Sequence, residues 1–203
     1  MRKSNSYSLQ DIADSLMREP GIIIDFSKAS DLVLYDRLLM KIAVLGVDSR
    51  VVVWVSEFPL GRTQRVRVGG QLPKEVKVTA GVSQGSVLGP LLFLAYVNDI
   101  WRNLESTVRI YADDCIMYRK IMNERDIETL QIDLDRLGER AVGKAMKINS
   151  GKSKAVRFTR AQVKYPLNYI LEDQIIPETS SCQYLGVILS RDLSWAYRVN
   201  YTA

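Results

Sequence analysis

"VRIYADDCIMY", residues 108–118, sets two adjacent aspartates, Asp113 and Asp114, between two apolar flanks rich in β-branched and aromatic side chains. Each flank has the composition of a buried strand. Neighbouring carboxylates repel one another and resist leaving water unless something positive compensates them. Two readings follow: a plain polar turn between strands, or a hairpin tip that holds a cation. A lone pair of acids favours the turn. A third acid shifts the balance, because "GIIIDF", residues 21–26, is another short apolar run and ends on Asp25. If the two strands are neighbours in one sheet, the three carboxylates converge, and their oxygens suit a hard ion such as Mg2+. Two such ions about 3.5–4 Å apart polarise both the attacking and the leaving oxygen of a phosphoryl transfer.

The bulk composition narrows the chemistry further. The chain has 203 residues, 47% of them apolar and 25% charged, which is ordinary for a globular protein with one sizeable core or one domain and part of a second. A net charge of +5 tilts it mildly toward polyanionic partners. Histidine is absent, which excludes Ser-His-Asp and Cys-His mechanisms and histidine-ligated metals. Cys115 and Cys182 lie far apart in apolar runs and read as reduced core residues. No apolar run reaches the ~18 residues of a membrane span, and the N-terminus lacks a signal peptide's apolar region. The expectation is a soluble, intracellular protein without membrane contact, in nucleus or cytoplasm.

Residues 8–18 predict a short helix stopped at Pro20, and a second helix runs from about Asp31 to Leu45, with Gly46 as its stop. "RVRVGGQLPKEVKVT" reads as two alternating strands around a Gly/Pro turn. "SVLGPLLFLAYVNDIWRNL" predicts a helix from about Ser86 that is nearly all buried, and an amphipathic helix spans about 124–142. From Lys147 onward the chain looks β-rich. This order predicts a mixed α+β fold. Ahead of the buried helix, Gly81, Gly85 and Gly89 let backbone approach a ligand, Gln84 offers an amide, and the helix start favours phosphate. Lys and Arg recur from Arg140 to Lys164 with no acid between them, as a nucleic-acid contact or a solvated face. Arg62, Arg65 and Arg67 divide evenly between those same readings. Trp54, Trp101 and Trp195 read as packing residues.

"IIIDFSKASD", "AGVSQGSVLGPLLFLAYVNDI", "YADD", "KINSGKSK" and "QYLGVILSRDLSW" occur in that order. Together they resemble the successive palm motifs of reverse transcriptases, specifically those of non-LTR (LINE- or jockey-like) retrotransposons, from about residue 21 to 195. The resemblance implies an α+β right-hand polymerase palm, an antiparallel sheet backed by helices, with fingers largely missing and thumb incomplete. Residues 1–20 would be a remnant of the fingers–palm connection, 21–160 the palm, and 161–203 the primer-grip region and start of the thumb. It implies an RNA-directed DNA polymerase that transfers nucleotides from dNTPs to a DNA primer on an RNA template, using two Mg2+ ions for which Mn2+ can substitute.

Carried over by position, Asp25, Asp113 and Asp114 would be the catalytic, metal-binding acids. Phe26, Ser30, Gln84, Gly85, Tyr111 and Lys152 would face nucleotide or template, Lys152 approaching the triphosphate. Tyr184, Leu185 and Gly186 would open the primer-grip hairpin. Ser30 stands where the family usually has an aromatic ring that excludes a 2′-hydroxyl, Tyr35 where it often has histidine, and Pro59, which ends a helix early, where it often has leucine. A full-length element would also carry fingers, thumb and endonuclease regions. Two alternatives share these motifs: a catalytically inactive, truncated relic with residual nucleic-acid binding, and an RNA-templated RNA polymerase, against which "YADD" and "QGSVLGP" argue.

Overall fold

The computed structural model describes residues 20–58, 61–65, 67, 69–70, 74–158, 168–184 and 187–191. In chain order the elements are β1 (Pro20–Ser27), a 3-10 turn (Ala29–Leu32), α1 (Tyr35–Val44), α2 (Ser49–Glu57), β2 (Thr63–Gln64), β3 (Val76–Lys77) and α3 (Leu88–Val97). Then come β4 (Thr107–Tyr111), β5 (Asp114–Tyr118), α4 (Glu124–Gly143), β6 (Lys147–Ile148) and β7 (Lys154–Arg157). Five short strands close the order: β8 (Ile170–Leu171), β9 (Gln174–Ile175), β10 (Glu178–Thr179), β11 (Ser181–Tyr184) and β12 (Val187–Ser190). The chain forms two compact units. The first takes in the chain up to Phe26, Asn103–Glu139 and the chain from Ile148 on; the second takes in Ser27–Arg102 and Arg140–Lys147. The helix expected over residues 8–18 lies outside the described residues.

The first unit is organised around β1. Ile22, Ile23 and Ile24 are all buried, as expected of a β-branched run covered on both faces. The strand order is β10-β7-β1-β5-β4, with β6 also paired to β1. β1 runs antiparallel to both β5 and β7, and β4 antiparallel to β5, while the edge pair β10–β7 is parallel. Alternation along the strands sorts their side chains onto two faces. Ile23, Ile116, Tyr118, Val156 and Phe158 share one face, and they join Cys182, Tyr184 and Leu189 of the β11–β12 hairpin in one buried cluster. Ile22, Ile24, Cys115, Met117 and Ala155 carry the opposite face and are also buried. α4 contributes Leu130, Leu134 and Leu137, fully buried at the spacing of one helical stripe. Its buried Asp133 accepts the Ser106 N–H (2.7 Å) immediately before β4, which fixes where that strand begins.

In the second unit the single helix expected from Asp31 to Leu45 is broken. Leu34 is bridged to Ala80, and the Gly81 and Val82 N–H groups donate to the carbonyls of Val33 and Ser30 (2.9 and 2.8 Å). These bonds hold Val33 and Leu34 extended, so the chain forms a 3-10 turn and then α1. Gly46, at φ +77°, stops α1 as its sequence position predicts. α2 begins at Asp48, whose carboxylate accepts the Arg50 N–H at 2.8 Å, so the cap prevails over the strand-like "VVVWV" composition. Pro59, beyond its end, lies outside the described residues. Trp54 is exposed rather than packed. α3 is also less buried than its composition suggests: Leu92, Phe93, Tyr96 and Val97 are inside, whereas Leu91 and Leu94 are exposed.

Asp99, just past α3, is held by two ammonium groups, Lys144 at 2.8 Å and Lys41. Burial alone would raise its pKa, but hydrogen bonds from Lys144 and Lys41 outweigh that and lower it to about 2. A carboxyl depressed in the folded state contributes stability above its unfolded pKa of about 3.9 and loses it as pH falls through the folded value. Between pH 4 and 2 the chain is therefore expected to lose on the order of 2 kcal/mol through this group. Asp99→Asn should be less stable at pH 6 and show a shallower fall of Tm with acidification, measured by thermal melts across that window.

Candidate active site

β4 and β5 are joined by a tight two-residue turn, Ala112–Asp113, with Tyr111 paired to Asp114. Ala112 has φ +53° while Asp113 does not share the positive sign, the pattern of a type II′ hairpin turn, whose first position favours glycine. An alanine held there stores local strain of about 1–3 kcal/mol, a cost more often met at functional sites than elsewhere. The turn leaves Asp113 exposed at the tip.

Next to this tip lies the end of β1, with Asp25 directly opposite Asp114 in the antiparallel register. The Asp25 N–H donates to Ser153 Oγ (3.2 Å), and its carbonyl accepts the Asn149 N–H (2.7 Å). Both backbone groups of an antiparallel strand residue point to the same side. Asp25 therefore spends neither on β5, and the Asp25–Asp114 pair is the narrow, non-hydrogen-bonded kind, with Cα atoms about 4.5 Å apart and side chains on one face. Asp25 and Asp113 form no ion pair among the described residues.

Among the described residues no three His, Cys, Asp or Glu side chains are gathered so as to hold a metal by themselves. The register brings two acids together, with the third on the adjoining turn. That donor set fits a hard divalent ion: it is all oxygen, and Mg2+ is usually held by one or two carboxylates, with water and substrate phosphate completing its shell.

The other residues marked by the sequence fall into three groups. Tyr111 and Lys152 are exposed in the first unit, at the hairpin and in the loop before β7. Phe26 is buried and alternates to the face opposite Asp25, which makes it a core side chain and corrects its expected contact with nucleotide. Tyr184 is buried too, its ring among Ile23, Ile116 and Phe158. Its hydroxyl has no hydrogen-bond partner among the described residues, and burial, with smaller contributions from Cys115, Asp114 and Tyr118, raises its pKa. Tyr184 thus seats the hairpin on the acid-bearing face of the sheet. The hairpin pairs Ser181–Tyr184 with Val187–Ser190, beginning earlier than the Tyr184 start expected; Leu185 and Gly186 lie outside the described residues.

In the second unit Ser30 and Gln84 share one local cluster, the Gln84 amide donating to Asp31 (3.0 Å) and the Ser30 carbonyl accepting from Val82. The glycines divide. A Cβ at Gly81 would lie 3.1 Å from the Asp31 carbonyl oxygen and one at Gly89 2.6 Å from that of Ser83, so both serve close approach within the chain. Only Gly85 of the three faces open space. At the start of α3 two first-turn positions offer no free donor: Ser86 Oγ takes the Gly89 N–H (2.9 Å), and Pro90 has none.

The basic run is likewise partly spent inside. Arg140 donates to the carbonyls of Ile100 and Arg102, Lys144 pairs with Asp99, and buried Arg157 pairs with Glu178 at 3.5 Å. Lys147 and Lys152 stay exposed, while Arg160 and Lys164 lie outside the described residues. Cys115 and Cys182 are free and buried, and burial pushes both thiols up to about 12, so neither is a nucleophile. No helix among the described residues is long and apolar enough to cross a membrane. The sequence singles out Lys152 within "KINSGKSK"; Asn149 and Ser153 acquire meaning only from their bonds to Asp25, since small polar residues in a loop carry no signal of what they hold.

A family model described as reverse transcriptase (RNA-dependent DNA polymerase) matches residues 3–189. The chain is 33% identical over 185 residues to a probable RNA-directed DNA polymerase from transposon X-element of Drosophila melanogaster, covering 88% of this chain and 20% of that one. It is 30% identical over 181 residues to the RNA-directed DNA polymerase from mobile element jockey of Drosophila funebris, covering 85% and 20%. It therefore spans about a fifth of the length of these relatives. Among solved structures, apo telomerase from Candida tropicalis, truncated from its C-terminal domain, superposes with a TM-score of 0.57 at 13% identity, over 90% of this chain and 38% of that one. That likeness concerns the fold, and it fits a partial polymerase palm. With a matching model over most of its length and the acid-tipped hairpin set beside β1, the chain belongs to the reverse transcriptase family.

Proposed function

We propose that this chain carries the nucleotidyl-transfer centre of a retrotransposon reverse transcriptase, which joins a dNTP to the 3′-hydroxyl of a DNA primer on an RNA template. The observation that carries this reading is the register that sets Asp25 across from Asp114, one residue from the exposed Asp113. Asp25, Asp113 and Asp114 would hold two Mg2+ ions, for which Mn2+ substitutes. Such ions, when bound, activate the attacking hydroxyl and neutralise charge on the leaving pyrophosphate.

The remaining work falls to the chain's own side chains. Asp25 is fixed by its backbone bonds and presents one carboxylate from a rigid strand, while Asp113 presents another from the tip. Tyr111, exposed beside that tip, offers a ring to the primer end. Lys152 brings an ammonium group from the neighbouring loop toward the triphosphate and supplies positive charge for the nucleic-acid backbone. The relatives' names support RNA as template and DNA as product. Primer extension by the protein tests this directly. Residues 1–203 by themselves are expected to extend a primer little, whereas a version extended N-terminally is expected to extend on RNA templates with dNTPs and Mg2+, and not after chelation. Extension that persists in chelator would defeat the proposal.

A further inference from the structure

We infer that Ser153 is a positioning residue for Asp25, holding its peptide so that the carboxylate keeps its direction; this rests on the metal-binding reading above. β7 pairs with β1 only as far as Ile23, opposite Lys154. Asp25 lies beyond that ladder, on the edge of β1 where β6 also pairs, and its N–H and carbonyl need partners beside the fully buried Ser153. The loop before β7 supplies both. Ser153 Oγ accepts the Asp25 N–H (3.2 Å) and donates its own proton to the Asn149 carbonyl (2.9 Å), and the Asn149 N–H returns to the Asp25 carbonyl (2.7 Å).

These three bonds close a circuit. A hydroxyl has one proton, and because it is committed to Asn149, a lone pair is left facing Asp25. The Lys152 N–H donates to the Asn149 backbone and side-chain oxygens (3.1 and 3.2 Å), so the loop that orients Asp25 also sets the backbone of Lys152. A metal-binding acid and a triphosphate-facing lysine are thereby built on one small polar frame, and Ser153 joins its two halves.

The test uses the whole chain and two readouts, amide hydrogen exchange without metal and Mn2+ affinity by titration. Ser153→Ala is expected to speed exchange at the Asp25 amide about tenfold, as loss of a buried hydrogen bond implies. It should also weaken Mn2+ binding about tenfold, the usual cost of removing a group that orients a ligand. Ser153→Thr, which keeps the hydroxyl, should restore both. Ser150→Ala, in the same loop but bonded to Gln174, should alter neither. Unchanged Asp25 exchange in Ser153→Ala would overturn the contact whether or not the chain binds metal. Faster exchange with unchanged Mn2+ affinity, or failure of threonine to restore them, would overturn the positioning role. Absence of Mn2+ binding by the unmodified chain would defeat the metal reading itself and this role with it.

Discussion

Asp25→Asn is expected to slow nucleotide addition by about a thousandfold or more, since a ligand to a catalytic ion carries several kcal/mol of transition-state stabilisation and each ~1.4 kcal/mol is a factor of ten. The amide matches the carboxylate in shape but is neutral and a weaker partner for a hard cation. Single-turnover primer extension measures the effect. Stability should move the other way. Asp25 faces Asp114 across a narrow strand pair, so removing one charge relieves repulsion, and metal-free Tm should not fall. A large rate loss with an unharmed fold separates this residue from a structural one. A slow variant that is also unstable would place Asp25 in the fold rather than in the chemistry.

The largest expected loss of stability comes from Phe158→Ala. Phe158 is fully buried among Ile23, Ile116, Tyr118 and Val156 of the sheet and Tyr184 and Leu189 of the β11–β12 hairpin. Truncating a buried ring removes its transfer energy and leaves a cavity, typically costing about 3–5 kcal/mol. That is a large part of the roughly 5–15 kcal/mol that holds a domain together. Urea denaturation should show a destabilisation of that size, whereas Leu91→Ala, at an exposed position of α3, should change stability by less than about 0.5 kcal/mol. A small effect at Phe158 would mean that the hairpin is not seated on the sheet as described.

The sequence makes the sheet and the acids legible because strong local signals agree there. A β-branched run ending on an acid and two apolar flanks around a pair of acids leave few alternatives, and all three strands form where the pattern puts them. α4, with Leu130, Leu134 and Leu137 at helical spacing, is legible for the same reason. The break at Val33–Leu34 is not, because it depends on Ala80–Val82, residues distant in sequence that take the backbone bonds. The burial of Phe26 and Tyr184 is hidden in a related way: a motif gives position, while strand alternation and packing decide whether a ring faces outward or into the core. The basic run misleads because charge alone does not distinguish Arg157, paired with Glu178, from an exposed Lys152. The frame around Asp25 is hidden until the backbone is traced.

The central claim is that Asp25 and the acids of the β4–β5 tip share divalent metal, and Mn2+-dependent melting tests it most directly. A ligand that binds only the folded state raises stability by RT ln(1 + [L]/Kd), about 2.7 kcal/mol at a hundredfold excess over Kd. Wild-type protein should show a clear rise in Tm with Mn2+, and Asp25→Asn and Asp113→Asn should each lose most of it. Equal rises in wild type and both variants would contradict the account.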